Sequence, residues 1–186
     1  MKKYLTLLLM FCIVPATQAD SFFDSTVIGL AFINQSAEIE VSGTGQDVSF
    51  SESGSGLGLY IDKYYNQTYR VNATLSYVSY DNFDIGEIIF SADYLLPVNE
   101  SLSFFGGGAL GAATQKYSDA SVSDSAAGAV YGLQAGAILY VNKYIMLEAG
   151  YRFRPTSIET ELALTQGDIS TVTDLSESYL SLLLMF

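Results

Sequence analysis

The sequence predicts an all-β protein: an eight-stranded antiparallel up-and-down β-barrel that crosses a membrane and has a polar, side-chain-filled lumen. Three observations carry this expectation. Apolar and polar residues alternate with period two in about eight segments of roughly ten residues, the length a tilted strand needs to cross a bilayer. No segment beyond the first nineteen residues approaches the apolar run of a transmembrane helix, so any entry into a membrane must be made by strands. Tight turns and long polar connections alternate along the chain, as they do in a barrel with its turns on one side of the membrane and its loops on the other.

Taken in order, the chain opens with a leader. Lys2 and Lys3 form a positive start, "YLTLLLMFCIV" an apolar core, and "TQA" a small-residue cleavage site ending at Ala19, so residues 1–19 read as a secretory signal peptide and 20–186 as the barrel. Cys12 is a poor lipoprotein acylation site, because bulky Phe11 precedes it and the apolar core runs past it. The alternation places strands at 26–36, 55–62, 68–79, 85–95, 102–113, 129–141, 144–154 and 177–186. "DKYYNQ", "LPVNES" and "VNK" are the tight turns, and the short connection around "DNF" joins the third and fourth strands. "AEIEVSGTGQDVSFSESG", "TQKYSDASVSDSAAG" and "PTSIETELALTQGDISTVTDLSE" read as long polar loops.

The direction of the faces follows from comparing strands. In "IMLEAGYRFR" one face holds Ile145, Leu147, Ala149, Tyr151 and Phe153, and the other Met146, Glu148, Gly150, Arg152 and Arg154. The third strand repeats the pattern, with Tyr69, Val71, Ala73, Leu75 and Tyr77 against Arg70, Asn72, Thr74 and Ser76. The polar set is also small, with Gly107, Ala109 and Gly111 in the fifth strand and Gly132, Gln134 and Gly136 in the sixth. Small hydrogen-bonding residues suit a cramped lumen and continuous oil suits lipid, so the charges are expected inside. Inward Ile89, Ile138 and Met185 break the pattern.

Eight strands make a cylinder that side chains can fill, so Arg70, Arg152 and Arg154 are expected to meet Glu87, Asp93 and Glu148 along its axis. Folding the hairpin about Asn82 sets Arg70 diagonally near Asp93. Aromatic residues near strand ends suggest two girdles: Tyr64, Tyr65, Tyr69, Tyr94, Tyr140, Tyr144 and Phe186 at one rim, and Tyr77, Tyr80, Phe83, Tyr151 and Phe153 at the other.

Composition excludes several functions. The chain has no histidine, which removes the common base-assisted hydrolytic groupings. Loss of the leader would remove both its lysines and the single cysteine, moving the net charge from −12 to −14 and making nucleic acid an unsuitable partner. Gly106, Gly108 and Gly111 have the spacing of a dinucleotide fingerprint, but more strand follows where that fingerprint needs a helix. No cofactor or metal site is expected. Acidic residues crowd the loop segments: Glu38, Glu40, Asp47 and Glu52; Asp81 and Asp84; Asp119 and Asp124; and Glu159, Glu161, Asp168, Asp174 and Glu177.

The terminal "SYLSLLLMF" sets Leu180, Leu182, Leu184 and Phe186 on one face and ends on an aromatic residue, which resembles the signal read by the bacterial barrel-assembly machinery. Together with "FFGGGALGAA" and "YGLQAGAILYVNKYIMLEAGYRF", it resembles the late strands of the small outer-membrane β-barrel family that includes the OmpX, Opa and OmpA-type eight-stranded domains. That resemblance implies a monomer in the bacterial outer membrane, surrounded by lipid and lipopolysaccharide. It also implies a non-enzymatic structural or adhesin-like role through the surface loops. A small ion-conducting pore is the runner-up, ahead of a lipid-modifying enzyme and a periplasmic lipocalin-like carrier.

Overall fold

The computed structural model describes residues 26–42, 48–65, 68–117, 125–161 and 169–185. The expected signal peptide, residues 1–19, and Phe186 lie outside them. Eight strands follow one another: β1 (Thr26–Ser42), β2 (Val48–Tyr65), β3 (Tyr69–Ser79), β4 (Phe83–Asn99), β5 (Leu102–Tyr117), β6 (Ser125–Tyr140), β7 (Ile145–Glu161) and β8 (Ile169–Met185). Each pairs antiparallel with the next, and β1 pairs with β8, so the sheet closes into a barrel. Closure satisfies backbone donors and acceptors within the wall and leaves no sheet edge facing lipid. Residues 66–68, 100–101 and 141–144 connect strands at one end, here the turn end, and 43–47, 80–82, 118–124 and 162–168 at the other, the loop end.

The strands run well past the expected limits at the loop end. Most of "AEIEVSGTGQDVSFSESG" is strand, with Ile39 paired to Phe50 and Glu38 to Ser51. The cause is a reversal of sidedness along the axis. On β1 the outward oil of Ile28, Leu30 and Phe32 gives way to Asn34, Ser36, Glu38 and Glu40, while the inward positions Ile33, Ala37 and Ile39 stay buried. On β2 outward Ile61, Leu59 and Leu57 give way to Ser55, Ser53 and Ser51. On β8 outward Leu184, Leu182 and Leu180 give way to Ser178 and Ser176. Near the loop end the barrel is therefore oily inside and polar outside, like a water-soluble barrel, whereas its middle is polar inside and oily outside.

Core residues sit on both sides of the polar middle. Toward the loop end, Val78, Phe83, Ile85, Val130, Ile158, Val172 and Leu175 are buried. Toward the turn end, Val27, Leu95, Ile138, Met146 and Leu183 are buried, with Met185 packed against them. Ile138 and Met185, which break the sequence pattern, belong to this second apolar layer, and Ile89 is equally buried within the wall. Inward glycines make room for the larger fillers. A Cβ on Gly107 would lie 2.8 Å from Asp93 Cα, and one on Gly136 2.6 Å from Phe105 Cζ.

The outward face meets the requirements of lipid. Leu75 and Phe90 are more than half exposed and Leu147 and Phe153 about two-fifths, while Arg70 and Glu148 are each 1% exposed. An apolar hollow of about 690 Å³ runs along this wall between Leu30, Leu57, Leu75 and Ile88, space that lipid chains fill in a bilayer. Exposed Tyr65, Tyr69, Tyr94 and Tyr144 ring the turn end of the oily belt, and Tyr77, Tyr131, Tyr151 and Phe153 its other margin. Four expected girdle members face inward instead. Tyr80 and Phe83 are buried and stack at 4.4 Å, and Tyr64 and Tyr140 pack partly buried against the core, because the alternation points all four at the axis.

Candidate functional site

The polar middle of the lumen follows from strand parity. Arg70 on β3, Glu87 and Asp93 on β4, and Glu148, Arg152 and Arg154 on β7 all occupy inward positions, and none is more than 3% exposed. The third and fourth strands turn one half-step earlier than a fold centred on Asn82, so Arg70 and Asp93 are direct cross-strand partners rather than diagonal ones. Arg70 donates to Asp93 Oδ2 from Nε at 2.9 Å and from Nη2 at 2.7 Å. The same guanidinium reaches across the lumen to Glu148. Its face lies 4.5 Å from the Phe105 ring, which Gly136 admits on the neighbouring strand.

A second group stands nearer the loop end. Arg152 donates from Nη1 to Glu177 Oε1 at 2.9 Å, and from Nε to Gln134 Oε1 at 2.9 Å. It lies 4.2 Å from the Tyr179 ring and 5.0 Å from that of Tyr60. Arg154 Nη2 donates to Glu177 Oε2 at 2.5 Å and to Glu87 Oε2 at 3.1 Å. Gln134 joins the two groups, since its amide nitrogen donates to Asp93 Oδ1 at 2.6 Å while its oxygen accepts from Arg152. Gln35 donates to Glu87 at 3.0 Å and Glu177 at 3.2 Å, and accepts from Tyr80 Oη at 2.7 Å, which ties the charges to the apolar layer above.

Several members escaped sequence reasoning. Asp62, assigned there to a turn, is the inward residue after Gly58 and Tyr60 on β2, and Asn72 donates to it. Glu177, assigned to an acidic loop, shares the inward parity of Tyr179, Ser181 and Leu183 and is fully buried. Both stand at the ends of the expected strands 55–62 and 177–186, and applying the inward parity to those end residues would have found them. Tyr179 completes the set by donating to Glu148 at 2.7 Å from a ring that Gly150 accommodates.

The other acidic residues fall elsewhere. Glu38, Glu40 and Glu159 are exposed on extended strands, and Glu52 accepts from the Asn82 backbone N–H at 3.1 Å, fastening β2 to the short 80–82 connection. Asp47, Asp119, Asp124 and Asp168 lie outside the described residues. Leu180, Leu182 and Leu184 face outward into the oily belt of β8, more than two-fifths exposed.

No protein-family profile and no curated protein sequence matches the chain. Solved structures do match its fold. Neisserial surface protein A aligns with a TM-score of 0.61 at 15% identity, covering 84% of this chain and 97% of that one. Outer membrane protein H of Pseudomonas aeruginosa aligns at 0.58 and 20% identity, covering 87% and 99%. OprG of the same organism aligns at 0.54 and 13% identity, covering 88% and 96%. With a closed antiparallel wall, an oily outer belt and these likenesses, the chain is an eight-stranded transmembrane barrel with the fold of the small bacterial outer-membrane β-barrel proteins.

Proposed function

We propose that this protein is a non-enzymatic, closed barrel of the bacterial outer membrane, with a structural or adhesin-like role exercised by its acidic loop end. The observation that carries the reading is the seal on both sides of the polar middle. The charged side chains are mutually paired and almost wholly buried, and apolar layers stand between them and either mouth. A lumen filled in this way holds the wall together and offers ions no continuous polar route, so contact with the surroundings falls to the outside. That outside is anionic at the loop end, where Glu38, Glu40 and Glu159 project from the extended strands. In this reading residues 1–19 direct export, and the barrel-assembly machinery reads Leu180, Leu182, Leu184 and Phe186. The finished barrel stands as a monomer among lipid and lipopolysaccharide, without a cofactor.

Two experiments test it. Purified protein in planar bilayers should give no steady openings, and openings that respond to Arg152→Ala would replace this reading with an ion pore. Deletion of residues 118–124 should weaken cell adhesion or raise envelope permeability while the barrel still assembles. The deletion must stop there, because a cut from 114 to 127 removes the paired strand ends Thr114–Ala127 and Lys116–Ser125.

A further inference from the structure

Among the described residues the cations are unevenly placed. The three arginines face the lumen, Lys116 stands near the loop end of β5, and Lys143 lies in the 141–144 connection. Lys63 is the one set into the outward wall at the turn-end margin of the oily belt, following Leu57, Leu59 and Ile61 in parity on β2. It is half-buried, and its ammonium donates to Thr26 Oγ1 at 3.4 Å. A lysine so placed lays its stem along apolar surface and holds its charge toward the headgroups.

Lys63 also stands at the head of a second hollow in the wall, of about 500 Å³. The hollow forms because Ala73, Ala92 and Gly108 carry a methyl group or less among the taller Val71, Phe90 and Leu110. Strand register sets its course. Tyr65, Tyr69 and Tyr94 share one cross-strand row, and the next outward row holds Lys63, Val71, Ala92 and Gly108. Only Tyr65 faces outward between Lys63 and the turn end of its strand, whereas Gly106, Phe104 and Leu102 do so beyond Gly108. The row therefore slopes from the margin into the belt, as tilted strands require. The first hollow, between Leu30, Leu57, Leu75 and Ile88, is apolar and has no cation in its lining.

We propose that Lys63 and this trough form a binding site for one anionic phospholipid of the turn-end leaflet, its headgroup phosphate at the Lys63 ammonium and an acyl chain laid over Ala92 and Gly108. A headgroup that carries no cation of its own keeps its negative charge and is preferred over a zwitterionic one. The inference rests on the membrane-spanning wall and not on the proposed surface role.

The test uses the absence of tryptophan from the chain. One is introduced as Phe90→Trp, beside the trough, or as Leu57→Trp, in the first hollow, and the full chain is refolded in phosphatidylcholine vesicles. Its fluorescence is quenched by a small fraction of phosphatidylglycerol or phosphatidylcholine with brominated chains. At Phe90→Trp, phosphatidylglycerol should show an apparent affinity about fivefold above that of phosphatidylcholine, the worth of one lysine beside an anionic headgroup. At Leu57→Trp the two lipids should be alike. In the Phe90→Trp chain, Lys63→Gln should abolish the preference, Lys63→Arg should keep it, and Gly108→Leu, which fills the trough and leaves the charge, should reduce it. Quenching of both reporters by brominated phosphatidylcholine reports the lipid-facing wall by itself, so loss of the preference alone leaves the membrane reading standing. Equal quenching by the two lipids at Phe90→Trp, a preference that survives Lys63→Gln or is undiminished by Gly108→Leu, or a Phe90→Trp reporter shielded from both lipids by a second copy of the chain would each overturn the proposal.

Discussion

Glu177 offers the sharpest test of how the lumen holds the wall. Its carboxylate serves two guanidiniums at once, Arg152 on one oxygen at 2.9 Å and Arg154 on the other at 2.5 Å, and Gln35 adds a third donor at 3.2 Å. Glu177→Gln keeps the shape and removes the charge. One amide oxygen can still accept, but the new amide nitrogen is a donor aimed at a guanidinium that can only donate. Arg152 or Arg154 thus loses a charge-assisted bond worth about 1.5–3 kcal/mol, and while Arg154 keeps Glu87 at 3.1 Å, Arg152 is left without its paired carboxylate. Breaking one side of a buried pair costs about 3–5 kcal/mol, and we expect the lower part of that range, since the amide retains some bonding. The assay is urea unfolding of refolded barrel in lipid vesicles, followed by the shift in mobility between folded and unfolded forms on an unheated gel. Glu40→Gln, an exposed change outside the lumen, serves as the control and should stay within about 0.5 kcal/mol of wild type. A Glu177→Gln barrel as stable as that control would refute the claim that paired lumen charges brace the wall.

Other expectations use the same unfolding assay. Gly106 and Gly108 face outward, with nothing nearer than 3.8 Å to an added Cβ, while Gly107 faces Asp93 with its Cα 2.8 Å away. Gly107→Ala should therefore abolish or severely impair folding, and Gly106→Ala and Gly108→Ala should be tolerated. Leu59→Arg places a charge in the lipid-facing belt of β2 and should cost about 2–4 kcal/mol, while Ser53→Arg, outward on the same strand above the belt, should cost under about 0.5 kcal/mol. Equal costs for the two would contradict the change of sidedness along β2. Tyr80→Phe removes the hydroxyl that donates to Gln35 at 2.7 Å and should lose about 0.5–1.5 kcal/mol without changing the assembled fold.

The strand count, the inside-out middle and six of the lumen charges were legible because period-two alternation is strong wherever one face must meet lipid. The same rule misled at the ends. Following the oily outer face along β1, the signal stops at Phe32, and Ala37-Glu38-Ile39-Glu40 reads as loop although its alternation continues with the oil now pointing inward. Glu177 was hidden by the same change of sign on β8, and Asp62 by its closeness to the turn. Which charges touch was less legible still. Arg70 meeting Asp93 depends on a half-step of hairpin register, and Arg70 reaching Glu148 depends on barrel closure, which brings β3 and β7 within a side chain's span of each other. The inward tyrosines show the limit of composition, since a ring near a strand end suits either a membrane margin or a lumen filler, and only parity separates them.

The exchange of faces along the wall also gives the molecule a waterline. Sliding it toward the turn side by two residues would drag Asn34, Ser55 and Ser178 into hydrocarbon and lift Leu184 and Ile61 out of it, so displacement in either direction is opposed. Depth of immersion is thus written into the strands themselves and owes nothing to an anchor. A peptide grafted into residues 118–124 would ride at a height above the lipid fixed by the rungs beneath it.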